Sequence, residues 1–151
     1  MIYIKSRLKK YPIDVTKYSR FVQNILDELK YSDFDICVLF TTNKIIHQLN
    51  KQFRNKNKPT DVLSFPHHPE LKAGKRIKAK YDDDKALGDI ILSVEYIDKA
   101  GPVFGKTLEE NIEYLIAHGV AHLLGHDHIQ DNEYKVMRRF EERILRAARR
   151  N

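Results

Sequence analysis

Apolar residues along the first half of the chain alternate between strand-like runs and helical stripes. Residues 2–6 (IYIKS) predict a short strand, and residues 16–30 carry apolar side chains at helical spacing. Residues 34–41 (FDICVLFT) predict a second strand, after which Thr42 is placed to cap a helix that reaches Phe53. Each of these two strands therefore leads directly into a helix.

The middle of the chain predicts two more strands on either side of a long connection. Residues 61–66 (DVLSFP) form the third strand, which Pro66 ends, and residues 87–93 (LGDIILS) form the fourth. Between them, residues 67–85 have little periodic apolar content, so we expect a long exposed loop. A short helix is predicted over residues 94–100, ended by Gly101 and Pro102.

Two amphipathic helices are predicted for the last third. Thr107 and Glu110 form a T-x-x-E capping box before a helix that reaches about Leu124, where Gly125 is placed to end it. Asp131 is expected to cap the final helix. The buried face of that helix is predicted to consist of Tyr134, Met137, Phe140, Ile144 and Leu145. Four strands and about five helices indicate an α+β fold, a single domain over residues 1–151 with helices packed on a small mixed sheet.

The composition supports a single globular domain and indicates its cellular location. The chain has 151 residues, enough for one ordinary domain, and 42% of them are hydrophobic, as in soluble globular proteins. No run approaches the roughly 18 apolar residues of a membrane span, and the first residues lack the features of a signal peptide. We therefore expect a cytoplasmic protein without membrane contact. The single cysteine, Cys37, lies in an apolar run and is expected to be a buried, inert thiol.

Charge favours an anionic partner. The formal net charge is +6, and basic residues cluster in residues 5–10, 54–58, 72–80 and 138–150. The alternative is a solvated, salt-bridged surface, which we favour for the final helix taken alone.

Four of the seven histidines fall within residues 118–128, HGVAHLLGHDH. His118 and His122 are one helical turn apart, about 6 Å along the axis, and share a face. Gly125 permits a left-handed turn that brings His128 back towards them. The resulting pattern, H-x-x-x-H-x-x-G-x-x-H, has the ligand spacing of the metzincin proteases and predicts a metal site on the penultimate helix and the following turn.

Three imidazole ligands suit several transition metals, including zinc, nickel, copper and iron. Zinc is favoured because three histidines typify open catalytic zinc sites, in which a water takes the fourth position and its pKa falls to about 7. His126 is interpreted as an ordinary core or surface residue. Asp127 either orients a ligand or supports the turn, and the sequence leaves both roles open.

Gly119 occupies the position at which metzincin proteases carry the glutamate that acts as general base. Its absence argues against peptide hydrolysis and favours a different bond, such as a phosphodiester. There, a metal-bound hydroxide or a polarised phosphoryl oxygen supplies the chemistry.

Three segments, HGVAHLLGHDH, LGDIILS and FRNKNKPTDVLSFP, resemble the YbeY family of bacterial endoribonucleases and ribosome-maturation factors. The resemblance implies a zinc-dependent, single-strand-specific endoribonuclease that matures ribosomal RNA at the 3′ end of the small-subunit RNA and takes part in ribosome quality control. It implies ribosomal RNA and the ribosome as partners and no DNA. It also implies a catalytic role for Arg54, whose cation would offset charge on the phosphate.

The chain departs from the family pattern at a few positions. His126 stands where the family usually has an aromatic residue, commonly tyrosine, and Ala121 stands where it usually has leucine. The loop RNKNKPT lacks the glycine and aspartate often found after the arginine. The alternative function is a non-enzymatic RNA-binding ribosome-assembly factor. Its structural zinc would take a fourth ligand from the protein, for example His126.

Overall fold

The computed structural model describes residues 1–101 and 107–150. Its strands are β1 (Ile2–Ser6), β2 (Asp35–Thr41), β3 (Val62–Pro66) and β4 (Ala86–Ser93). Its α-helices are α1 (Val15–Leu29), α2 (Asn43–Arg54), α3 (Val94–Ala100), α4 (Leu108–Leu123) and α5 (Asp131–Ala148). The predicted elements are present in the predicted order, and the α+β class is confirmed.

The four strands form one mixed sheet in the order β1-β2-β4-β3. Strands β1, β2 and β4 run parallel, whereas β3 pairs antiparallel with β4, with Leu63 opposite Ile91. Strand β3 is therefore an edge strand. Helix α4 packs against both β3 and β4, and α5 packs against α1 and α4. This arrangement sets the end of α4 beside the edge of the sheet.

The core lies between one face of the sheet and the helices. Along β2, Ile36, Val38 and Phe40 are buried, while the alternating residues Cys37 and Leu39 are half-buried on the opposite face. Burial of one such large apolar side chain stabilises the fold by about 1.5–3 kcal/mol. Burial also raises the pKa of the Cys37 thiol, so the half-buried cysteine remains a poor nucleophile.

The connection between β3 and β4 is largely exposed, as predicted, but it contains one 3₁₀ turn at Asp82–Asp84. Three of its side chains pack against the core, namely Leu71, Ile77 and Ala79. None of the described helices is long and apolar enough to cross a membrane.

Two predictions about helix ends are refined. Gly101 caps α3 with φ +80°, whereas Pro102 lies outside the described residues. The prediction that Asp131 caps α5 is wrong. Gln130 is the capping residue and makes no side-chain capping bond, while Asp131 is the first helical residue. There its negative charge still complements the positive end of the helix dipole.

The predicted buried face of α5 is also partly wrong. Tyr134 is 53% exposed. The first six residues of the helix are exposed or half-exposed, so the helix is buried against the domain only from Met137 onward. The fully buried members of the stripe are Met137, Glu141, Ile144, Ala147 and Ala148.

Candidate metal centre

Helix α4 carries two of the predicted ligands because its start is well capped and most of its surface is apolar. The Thr107 hydroxyl accepts a hydrogen bond from the Glu110 backbone N–H at 3.1 Å, which satisfies one free donor of the first turn. His118 and His122 lie on the one side of the helix that faces a cavity.

The turn after α4 depends on Gly125. Its φ is +89°, a conformation that L side chains rarely adopt. A Cβ atom there would also lie 2.4 Å from the backbone oxygen of Leu71, because the connection between β3 and β4 crosses closely over the turn. The His126 backbone N–H then donates to the Ala121 carbonyl at 3.0 Å and closes the turn. The chain is thereby redirected so that His128 faces α4.

His118, His122 and His128 lie together. One ring nitrogen of each falls within 4.8 Å of the others, and the Nε2 atoms of His118 and His122 are 3.1 Å apart. The ring centroid of His128 is 5.7 Å from that of His118 and 5.4 Å from that of His122. Three convergent imidazole nitrogens fit one transition-metal ion and leave a coordination position open.

The electrostatics of His122 keep it in the form that binds metals. Burial lowers the pKa of His122 to about 4, and the neighbouring charges of His118 and His128 act in the same direction. The ring is therefore neutral near pH 7. Neutral imidazole is the form that coordinates a metal.

A buried carboxylate from α5 orients His118. Glu141 is 1% exposed, and its Oε2 lies 2.6 Å from Nδ1 of His118. Its other oxygen accepts a hydrogen bond from the Tyr114 hydroxyl at 3.1 Å, and Arg138 lies 3.7 Å away. With the carboxylate ionised, Nδ1–H of His118 is the donor, so Nε2 is the atom that faces His122 and His128.

The sequence interpretation missed Glu141. The signal was present in the spacing, because Glu141 lies four residues after Met137 and three before Ile144, on the apolar stripe of α5. A glutamate in such a stripe is rarely buried without a partner. The histidine that it contacts could not be identified from spacing alone.

His126 belongs to the core, as interpreted from the sequence. It is 7% exposed, and its ring stacks on Phe140 with centroids 4.4 Å apart. It is not part of the three-histidine cluster, and its Nδ1 atom has no hydrogen-bond partner among the described residues. Burial lowers the pKa of His126, so this ring is also kept neutral.

The cluster opens into a cavity of about 480 Å³ that Arg54 also lines. Arg54 is the last residue of α2 and not part of the following loop. Its Nη2 donates to the Ser64 carbonyl of β3 at 2.7 Å, and its guanidinium carbon lies 4.8 Å from the centre of the Phe65 ring. The guanidinium is therefore held against the wall of the cavity by the edge strand.

Two aspartates also line the cavity. Asp127 Oδ1 accepts the backbone N–H of His128 at 2.8 Å, so Asp127 supports the turn that carries this histidine. Asp61 Oδ1 accepts the backbone N–H of Val62 at 2.7 Å, at the start of β3.

Comparison with known proteins agrees with this geometry. Residues 3–149 match the family described as Endoribonuclease YbeY. A protein of that name from Caldicellulosiruptor bescii is 40% identical over 152 residues, covering 97% of this chain and 96% of the relative. Another, from Clostridium botulinum strain Loch Maree, is 37% identical over 161 residues, covering 97% of both chains.

A similar fold occurs in the solution structure of TM1509 from Thermotoga maritima. The TM-score is 0.63 at 22% identity, with 98% of this chain and 89% of that chain covered. Both the fold and the family are therefore established, and the chain belongs to the Endoribonuclease YbeY family.

Proposed function

We propose that the chain is a zinc-dependent endoribonuclease that cleaves single-stranded RNA. The observation that carries the proposal is that three convergent histidines and one arginine line the same cavity. In this assignment His118, His122 and His128 are the metal ligands, and Arg54 is the catalytic residue that contacts the phosphate.

His118, His122 and His128 would hold the zinc, which would supply Lewis-acid chemistry and activate a water near neutral pH. The chain's own residues supply the rest. Glu141 orients His118, Asp127 supports the turn that carries His128, and Arg54 offsets the charge that builds on the phosphate.

Arg54 is suited to this role because the described residues use only part of its hydrogen-bonding capacity. Nη2 donates to Ser64 at 2.7 Å, and Nη1 makes a long contact of 3.4 Å with the Phe53 carbonyl. The remaining N–H groups of the planar guanidinium are available to two oxygens of one phosphate. The bond to Ser64 positions the group before substrate binds.

The proposed substrate is ribosomal RNA, with cleavage at the 3′ end of the small-subunit RNA and a further role in ribosome quality control, in the cytoplasm. Family membership and the net charge of +6 support an RNA partner. The non-enzymatic alternative is not favoured. A structural zinc would need a fourth protein ligand, and His126 instead packs on Phe140.

A cleavage assay with labelled single-stranded RNA tests the proposal. Arg54→Ala should lose about 100-fold or more in rate, and Arg54→Lys should recover only part of this loss, because lysine lacks the planar fork. Metal content, measured by elemental analysis, should be near one zinc per chain in both variants and should fall in His122→Ala.

The matched control is Lys51→Ala, which removes an exposed cation from the last turn of the same helix without touching the cavity. Cleavage by His122→Ala equal to wild type would count against the metal-dependent enzyme, and full activity in Arg54→Ala would count against the catalytic role of Arg54.

A further inference from the structure

A second cavity, of about 370 Å³, adjoins the metal cavity. His126 lines both, so this residue lies between the two cavities. The segment of residues 71–75 also connects them, since Leu71 lines the metal cavity while Gly74 and Lys75 line the second one. Residues 71–73 pack on the turn at Gly125, so a ligand that occupies both cavities would cross over this segment.

The lining of the second cavity combines an apolar floor with a basic rim. The apolar members are Leu29, Tyr31, Leu124, Val136 and Phe140. The basic members are Lys75, Arg76, Arg139 and Arg143, and no carboxylate of the described residues lines this cavity. Two basic clusters that are distant in sequence, residues 72–80 and 138–150, are thus brought to one place.

The structure fixes one of these clusters firmly. Arg76 donates to the carbonyls of Leu29 and Lys30 at 2.9 and 2.8 Å, which satisfies the free carbonyls at the end of α1. Its guanidinium carbon lies 4.1 Å from the centre of the Tyr31 ring. Arg76 is therefore an anchor that holds the neighbouring Lys75 at the mouth of the cavity.

Three of the four cations, Lys75, Arg76 and Arg139, have no ion-pair partner among the described residues, and Arg76 alone of these has its side chain bonded to backbone carbonyls. Arg143 pairs with Glu28 at 3.3 Å. In contrast, no ion pair within the described parts of the chain involves the exposed side chains of Lys75 and Arg139. Uncompensated cations around a concave apolar surface attract an anion that also has an apolar face.

We infer that this second cavity is a subsite for a nucleotide of the same single-stranded RNA, adjacent to the point of cleavage. The base packs on the apolar floor beside the half-buried ring of Phe140, and the phosphates contact Lys75 and Arg139. The inference rests on the proposed function only in naming RNA as the strand that runs between the two cavities. A purely anionic ligand would leave the apolar floor without a partner.

The test compares two double variants with wild type. Lys75→Ala with Arg139→Ala removes the two cations whose side chains make neither an ion pair nor a hydrogen bond within the described residues. Lys78→Ala with Arg146→Ala removes exposed cations from the same segment and the same helix, outside the cavity. Binding of a labelled ten-nucleotide RNA to the zinc-loaded proteins is followed by fluorescence anisotropy over a range of salt. A gel of the same samples checks that the RNA is intact.

We expect the cavity variant to bind about tenfold more weakly. Its plot of log affinity against log salt should be shallower by about 1.4, because each lost phosphate contact on a single strand contributes about 0.7. The control double variant should lose less affinity for RNA, and its salt slope should stay near that of wild type. Both double variants should keep the wild-type melting temperature.

Equal losses in the two variants, or an unchanged salt slope in the cavity variant, would overturn the subsite. Polyglutamate serves as a second probe. If the cavity variant loses binding to polyglutamate but keeps its affinity for RNA, the ligand is an acidic peptide and the RNA subsite is also overturned. If wild type binds RNA with the expected slope and does not cleave it, the proposed function fails while the subsite stands.

Discussion

Replacing Glu141 with glutamine is the most direct test of how the metal cluster is held together. The change keeps the size of the side chain and removes the negative charge that faces Nδ1 of His118 at 2.6 Å. We expect zinc affinity to fall and the fold to persist. The carboxylate makes the imidazole a better ligand and fixes its orientation, and a neutral amide does both less well.

The size of the effect follows from the geometry. A charge-assisted hydrogen bond is roughly twice as strong as a neutral one, and loss of such a partner typically lowers metal affinity about 10–100-fold. That range corresponds to about 1.4–2.8 kcal/mol of binding free energy. The loss of folding stability in the metal-free protein should be smaller than this loss of binding free energy. Arg138, the cation that would no longer face a carboxylate, is 38% exposed and remains solvated.

Two measurements separate these effects. Competition with a chromophoric chelator gives the zinc affinity, and thermal unfolding of the metal-free protein gives its stability. Glu142→Gln is the matched control, because it removes the same charge from the next residue of α5, where the side chain is 56% exposed and 3.9 Å from Arg138. Cobalt substitution adds a spectroscopic signature of the coordination geometry for each variant.

The reasoning is refuted if Glu141→Gln binds zinc within about threefold of wild type, well short of the loss expected for such a partner. It is equally refuted if Glu142→Gln loses as much affinity as Glu141→Gln. A large loss of metal-free stability with unchanged zinc affinity would assign Glu141 to packing between α4 and α5.

Three further outcomes are expected. His126→Phe should raise the free energy of unfolding by up to about 1 kcal/mol, because it removes a buried nitrogen that has no hydrogen-bond partner among the described residues and keeps the stack on Phe140. Loss of zinc from this variant would instead show that His126 is a metal ligand. Gly125→Ala should cost at least about 2 kcal/mol in thermal unfolding, given its φ of +89° and the Leu71 oxygen 2.4 Å away, and a wild-type melting temperature would contradict this. Chelation should lower the melting temperature of wild type, whereas His128→Ala should show a much smaller shift in the same scan.

Much of the fold follows from local patterns in the sequence. The residues of β2 and β4 are recognisable from continuous apolar runs, and α3 begins and ends where its pattern predicts, at Val94–Ala100. The antiparallel pairing of β3 could not be derived, because its residues satisfy a parallel or an antiparallel ladder equally well. The partner of an edge strand is decided by packing over the whole domain.

The candidate site was predictable where its members are close in sequence. The helical spacing of His118 and His122 and the turn at Gly125 indicate their convergence with His128, and the structure brings all three together. The position of Arg54 beside them came from the family resemblance alone. Its contact with Ser64 depends on β3 lying at the edge of the sheet, which no local pattern encodes.

The packing around Gly119 bears on whether a general-base glutamate fits beside the metal ligands. The sequence shows that the glutamate of the metzincin peptidases is missing between His118 and His122. The structure shows that a Cβ atom at this position would lie 3.0 Å from two side-chain atoms of Ile90, a fully buried residue of β4. Position 119 therefore faces the sheet, where α4 packs closely on β4. A carboxylate placed there would be buried against an isoleucine, at a high desolvation cost. The close packing of α4 on β4 therefore disfavours a general-base carboxylate at position 119, in agreement with the glycine that the sequence has there.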